Sequence, residues 1–186
     1  MENKRFNTLM QVHFILLLLL CAVTVFGLAF IIIKGISLPF GIILIHISLI
    51  LSLLCGLIYV RKDYQKNASI FYKAFILFTA ISDAILVYTT ISKAGFSLGV
   101  AMICVRILLL LIMVFGKDLG KTNTWILFYI VLAIDLLYGI LFIPRGYLIS
   151  MTLVDVIGKL VIDGTIGLAI RGKYADKEAR YGASQQ

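Results

Sequence analysis

Charged residues are scarce in this chain of 186 residues. Only 14% of the residues are Asp, Glu, Lys or Arg, whereas 62% are hydrophobic. Soluble domains carry roughly a quarter charged residues and about half apolar ones. A single soluble core cannot bury such an excess of apolar side chains. The composition therefore excludes an ordinary soluble domain and predicts a polytopic membrane protein.

Cysteine and proline are also rare, with three and two residues respectively. Cys21, Cys55 and Cys104 all lie in apolar runs, and none has a C-x-x-C partner or a histidine at metal-ligand spacing. We therefore expect small buried side chains rather than disulfides or metal ligands, and we expect no cofactor. Both prolines lie outside the apolar runs, which argues against the broken helices found in many transporters.

Six apolar runs approach or exceed the roughly 20 residues that a helix needs to cross a bilayer. They lie at about 12–33, 41–60, 70–92, 98–116, 124–143 and 150–171. Short segments that contain charges, glycine or proline separate them. The sequence therefore predicts an all-α membrane bundle of about six transmembrane helices. This bundle forms a single domain over residues 1–171, and a polar tail follows at 172–186.

The basic residues outside the runs are unevenly divided between the two ends of this bundle. The end with both termini carries eleven of them, whereas the opposite end carries Lys34, Lys93 and Arg145; the eleven are Lys4, Arg5, Arg61, Lys62, Lys66, Lys117, Lys121, Arg171, Lys173, Lys177 and Arg180. This bias predicts that both termini face the cytoplasm, and the protein is expected in the plasma membrane. The net charge of +8 then reflects topology, and a nucleic-acid partner is not needed to explain it.

Several ionisable residues fall inside the predicted spans. Near the middle of the third, fourth and fifth spans lie Asp83, Arg106 and Asp135, and the sixth span carries Asp155, Lys159 and Asp163. Each unpaired charge at the bilayer centre costs about 2.5–3.5 kcal/mol on insertion scales. These side chains are therefore expected to face the bundle interior and to pair with one another. Arg106 is the natural partner for Asp83 or Asp135, which lie at a similar depth.

The sixth span shows how pairing can occur within one helix. Asp155, Lys159 and Asp163 are four residues apart, which places them on the same helix face, so Lys159 can bridge the two carboxylates. The six residues nevertheless include four carboxylates and only two cations. Either one or two aspartates are protonated, or a cation occupies the site. Because the first two spans lack such charges, we expect a polar cavity among spans three to six.

A purely structural role is the alternative for these charges, because buried ion pairs can fix helix register without any chemistry. His46 stands alone on an apolar helix and is expected to be a hydrogen-bonded core histidine rather than a ligand.

Residues 50–111 resemble the YhhN-like lysoplasmalogenase membrane family, especially its divergent members from Gram-positive bacteria. The resemblance rests on "FTAISDAILV" and, after a short loop, "LGVAMIC", where the family pattern looks like FTxIxDxxLV followed by LGVxxFC. A second family aspartate, in a late helix, maps onto Asp163 or Asp155. The family usually has more spans, and it has Gln or His followed by an aromatic residue where this chain has Arg106.

This resemblance implies a membrane-embedded hydrolase that cleaves the vinyl-ether bond of a lysophospholipid. Asp83 and Asp163 would be the catalytic pair, one protonating the vinyl carbon and the other activating water. The remaining buried charges, Arg106, Asp135, Asp155 and Lys159, would bind the substrate or an ion. Such an enzyme is expected in a bacterial inner membrane with lipid as its partner, and a degenerate relative would bind a lipid headgroup without hydrolysing it.

Two other functions are compatible with the same residues. The surplus carboxylates suit a small transporter or channel for protons or a small cationic solute. The small size of the chain and the lack of a soluble domain suit a non-catalytic subunit whose charges pair with another membrane chain. A homo-oligomer is a further possibility for the assembly.

Overall fold

The computed structural model describes residues 2–63, 70–116, 119–142 and 156–172, and within these ranges the chain is helical and contains no strand. The α-helices are α1 (Glu2–Ile33), α2 (Phe40–Ile58), α3 (Ile70–Ala94), α4 (Leu98–Phe115), α5 (Lys121–Phe142) and α6 (156–172). A short π-helical turn, Tyr59–Asp63, extends α2. The prediction of an all-α fold is therefore confirmed.

Five of these helices are long and apolar enough to cross a bilayer. The five candidate spans are Thr8–Ile33, Phe40–Arg61, Ile70–Ala94, Leu98–Phe115 and Lys121–Leu141. They coincide within a few residues with the first five apolar runs of the sequence. The sixth predicted span, 150–171, begins outside the described residues, and its described part is helical from 156 onward.

Local sequence explains where several helices begin and end. Gly95 directly follows α3 and has a φ of 77°, a left-handed conformation that terminates a helix and that glycine adopts without steric cost. Pro39 immediately precedes α2, where its missing N–H and fixed φ do no harm. The side chain of Ser97 accepts a hydrogen bond from the backbone N–H of Val100 and so caps the start of α4.

Each helix packs against the next one in an antiparallel direction, and α6 returns to contact α1. On one side, Gly56 of α2 lies against the ring of Phe75 in α3. On the other side, Gly167 of α6 lies against Phe128 of α5, and Gly158 of α6 lies against Leu20 of α1. Small residues in helix interfaces allow backbones to approach closely. The six helices therefore close into a ring around a shared interior.

The apolar core receives a fully buried side chain from every one of the six helices. These side chains are Leu17, Leu53, Phe75, Leu110, Val131 and Ile166, each with no exposed surface. Outward-facing positions are apolar as well, as exposed Phe26, Phe30 and Leu108 illustrate. A surface of this kind suits a lipid environment, since lipid tails are as apolar as the side chains themselves.

The contact between α1 and α6 depends on a glycine. The imidazole of His13 in α1 lies directly over Gly164 in α6, and His13 Nε2 donates a hydrogen bond of 2.9 Å to the carbonyl oxygen of Val161. A methyl group at position 164 would overlap the imidazole ring. His13 would then have to move and lose this hydrogen bond.

We therefore expect Gly164→Ala to lower the free energy of unfolding in micelles by about 1–3 kcal/mol, the usual cost of overpacking. Gly158→Ala is the matched control, because its added carbon would meet Leu20 at an ordinary 3.5 Å. Combining Gly164→Ala with His13→Ala should restore part of the loss. Equal stabilities for the two glycine variants would contradict this account of the α1–α6 contact.

Candidate functional site

Four helices each bring one charged residue to the same place inside the bundle. Asp83 comes from α3, Arg106 from α4, Asp135 from α5 and Asp163 from α6, and all four are buried. The spacing along α4 explains the position of Arg106. Its neighbours on the buried face, Ile103 and Leu110, lie three and four residues away, which is the periodicity of a single helix face. We call these four residues the Arg106 cluster.

The guanidinium of Arg106 lies at the centre of the cluster and contacts all three aspartates. Its Nη1 donates a hydrogen bond to Asp83 Oδ2, and its Nε donates one of 2.7 Å to Asp135 Oδ2. Asp163 Oδ1 lies 3.6 Å from Nη2, close enough for an ion pair but too far for a hydrogen bond. The prediction that Arg106 pairs with Asp83 or Asp135 is confirmed, and it pairs with both.

Asp163 differs from the other two aspartates in its hydrogen bonding. Asp163 has no exposed surface, and neither carboxyl oxygen accepts a hydrogen bond from a described residue. Arg106 Nη2 likewise has no hydrogen-bond acceptor among the described residues. A buried polar atom without a partner costs free energy and calls for an explanation. The cluster is therefore tightly paired at Asp83 and Asp135 and loosely paired at Asp163.

Lys159 is buried one helical turn from Asp163, and its ammonium group lies over the ring of Tyr138, 3.9 Å from the ring centroid. This is a cation–π contact between α6 and α5. The sequence interpretation missed Tyr138, although its position three residues after Asp135 places both on one face of α5. The predicted bridge from Lys159 does not reach Asp163, because neither carboxyl oxygen of Asp163 has a hydrogen-bond partner among the described residues. Asp155 lies outside the described residues, so the other half of the bridge stays a prediction.

The Arg106 cluster and the largest apolar side chains of the core lie at different levels of the bundle. Phe75, Leu110, Val131 and Ile166 of the core each lie three to eight residues from the cluster residue on the same helix, and always toward the end that carries the N-terminus. At 1.5 Å per residue, this places the apolar layer about 5–12 Å from the cluster. Lys159 and Tyr138 lie toward the opposite end. The apolar core therefore separates the cluster from the end that carries the N-terminus.

The helix α2 has no charged residue in its apolar run, and hydrogen bonds join it to α3, the helix that carries Asp83. Ser52 of α2 donates a hydrogen bond of 2.9 Å to the carbonyl oxygen of Phe75 in α3, and Ser82 donates one of 3.3 Å to the carbonyl oxygen of Ile45 in α2. These bonds fix α3 against α2 next to Asp83. His46 is half-buried and bonds the carbonyl oxygen of Ile42 in its own helix at 2.8 Å, so the predicted hydrogen bond is confirmed but the predicted core position is not.

Among the described residues, no group of three or more His, Cys, Asp and Glu side chains is arranged to hold a metal ion. The three aspartates of the cluster surround a guanidinium. Two of the carboxyl groups have a cationic hydrogen-bond donor, whereas the third has no donor among the described residues. The side chain of Asp83 is 11% exposed, whereas the side chains of Asp135 and Asp163 are 2% exposed or less.

Comparison of the chain with protein-family models, with curated proteins and with solved structures finds no match.

The stability of the bundle should depend strongly on Arg106. We expect Arg106→Leu to lower the free energy of unfolding by about 3–5 kcal/mol, because it leaves Asp83 and Asp135 buried without a cation. Thermal or denaturant unfolding of the purified protein in micelles measures this loss.

The matched control removes both hydrogen-bonded ion pairs of Arg106. A variant that combines Arg106→Gln, Asp83→Asn and Asp135→Asn has no uncompensated charge at these positions and should lose less stability than Arg106→Leu alone. An Arg106→Leu variant as stable as the unsubstituted protein would show that the guanidinium does not hold the helices together.

Proposed function

We propose that this chain is an integral membrane protein that crosses the bilayer six times, with both termini in the cytoplasm. Five helices of sufficient length and apolarity support this topology, together with an α6 that packs among them. The excess of basic residues at the end with the termini supports the orientation. The apolar outer surface of the bundle supports its insertion in lipid.

We further propose that the Arg106 cluster hydrolyses the vinyl-ether bond of a lysophospholipid. One observation carries this proposal. Asp83 and Asp163, the two aspartates that the family resemblance implicates, lie on one guanidinium in one buried site although they are on different helices. General acid–base catalysis needs two such groups at a single reacting centre.

The two carboxyl groups have different surroundings, and this suggests a division of roles. Asp83 accepts a hydrogen bond from the cationic Arg106, which suits a carboxylate that acts as the general base. Asp163 lacks a hydrogen-bond donor among the described residues, which suits a carboxylic acid that gives up a proton. Differences of this kind between paired carboxyl groups commonly distinguish an acid from a base.

The reaction would proceed in three steps. The Asp163 proton forms a C–H bond at the vinyl carbon remote from the ether oxygen, which generates an oxocarbenium ion. Water attacks the carbon next to the oxygen while Asp83 accepts a water proton. The resulting hemiacetal then collapses, breaking its C–O bond to release a fatty aldehyde and the glycerophospho alcohol. Proton exchange between the two carboxyl groups restores the starting state.

The layering of the bundle indicates the side from which a substrate would arrive. The apolar core blocks the end with the N-terminus, whereas Lys159 and Tyr138 lie on the opposite side of the cluster. Asp83 is the most exposed of the three aspartates. We therefore infer that a lipid would reach the cluster past Asp83 from the half of the bundle away from the termini.

The proposed topology can be measured by cysteine labelling in intact cells. In a protein whose three native cysteines are replaced by alanine, Ser92→Cys at the exposed end of α3 should react with a membrane-impermeant maleimide. Ser184→Cys in the tail should react only after the membrane is permeabilised. The reverse pattern, or labelling of both sites in intact cells, would contradict the topology.

The proposed reaction can be measured as aldehyde release from lysoplasmalogen by the purified protein in lipid nanodiscs. We expect Asp83→Asn and Asp163→Asn each to lower the rate about 100-fold or more, as is typical for loss of a general acid or base. Asp63→Asn, the same chemical change in the π-helical turn, is the matched control and should keep the rate.

Circular dichroism of each variant separates a loss of chemistry from a loss of fold. Failure of the unsubstituted protein to release aldehyde would contradict hydrolysis. If such a protein instead supported a proton flux in proteoliposomes that Asp163→Asn abolished, the transporter alternative would replace the hydrolase.

A further inference from the structure

Asp135 and Asp163 contact two different nitrogens of the Arg106 guanidinium. Nε donates to Asp135 Oδ2 at 2.7 Å, and Nη2 lies 3.6 Å from Asp163 Oδ1. Both nitrogens are bonded to the same carbon atom, and a single carboxylate commonly binds two neighbouring nitrogens of a guanidinium through its two oxygens. The carboxyl groups of Asp135 and Asp163 are therefore neighbours on this guanidinium.

A hydrogen bond between two carboxyl groups requires a proton on one of them. Ionised carboxylates only accept hydrogen bonds, whereas a carboxylic acid donates one. Asp163 is fully buried, and neither of its oxygens has a donor among the described residues. A proton on Asp163 would let its carboxyl group donate to Asp135, which already accepts from Arg106. Burying Asp163 in its ionised form without a donor would be costly.

The charge balance of the described residues supports the same conclusion. Asp83, Asp135 and Asp163 carry three negative charges when ionised, whereas Arg106, the cation that contacts all three, carries one positive charge. A bound proton lowers this excess of negative charge. Asp83 has its own hydrogen bond from Nη1 of the guanidinium. The proton therefore belongs to the pair that lacks sufficient donors.

We propose that Asp135 and Asp163 form a proton-binding pair that holds one proton between their carboxyl groups. Asp135 is the ionised member, held by Arg106 Nε, and Asp163 carries the exchangeable proton. This assigns Asp135 a role in holding the proton in place of the substrate-binding role that the sequence suggested. The inference rests on the ion network alone and does not depend on the proposed hydrolysis.

Infrared spectroscopy of the purified protein without any substrate tests this pair. We expect the unsubstituted protein to show a carboxylic-acid C=O stretch that moves to lower frequency in ²H₂O. Asp135→Asn and Asp163→Asn should each abolish this band. Either change leaves one carboxyl group of the pair beside Asp83, and Arg106 can bind that group as a carboxylate. Asp163→Glu should keep an acid band at a different frequency.

The matched control is Asp155→Asn, the same change at another aspartate of the sixth predicted span, and this variant should keep the band. The amide bands of the same spectra show whether each variant is folded. Absence of an acid band from the unsubstituted protein overturns the proposal, and this result requires no variant. Persistence of the band in Asp163→Asn, or its loss in Asp155→Asn, also overturns it. Because no lipid is hydrolysed in this measurement, its outcome is independent of the aldehyde assay.

Discussion

The guanidinium of Arg106 is the interaction on which the interior of this bundle depends. It lies between α3, α5 and α6, and it contacts an aspartate from each of them. These side chains are buried, so an aspartate that lost this contact would also be shielded from solvent. Rotating any of these helices by one residue would turn its charge by about 100° away from the centre. One side chain therefore fixes the register of four helices.

The helices α1 and α2 have no charged residue in their apolar runs, and neutral hydrogen bonds join them to their neighbours. Ser52 and Ser82 join α2 to α3, and His13 joins α1 to α6, in each case through a hydrogen bond to a backbone carbonyl oxygen. Neutral side chains suffice for this, because a carbonyl oxygen needs a donor and not a counter-charge. These contacts position α3 and α6, two of the three helices that carry the aspartates, without involving the cluster residues themselves. The bundle thus combines a charged centre with a neutral polar support.

A purely structural role for the charges accounts for part of the cluster and not for all of it. The hydrogen bonds from Arg106 to Asp83 and Asp135 are what a structural ion network requires. Asp163 adds a third carboxyl group beside the same guanidinium, and its oxygens lack donors among the described residues. The proton that we propose on Asp163 would account for this arrangement. This feature connects the architecture to the proposed function.

The sequence by itself determined the all-α class, the position of five long apolar helices and the inward direction of Asp83, Arg106 and Asp135, because the length of each apolar run and the cost of an unpaired charge in an apolar environment leave few alternatives. It also determined that Arg106 pairs with Asp83 or Asp135, since depth can be counted along each helix. The tertiary structure decided that Asp163 joins the same guanidinium, that Lys159 lies over Tyr138, and that His13 bonds a carbonyl 148 residues away. These contacts depend on how each helix is rotated and on which helices lie beside it. A single histidine or tyrosine in an apolar run forms no repeating pattern in the sequence, so it predicts neither the rotation nor the neighbouring helix.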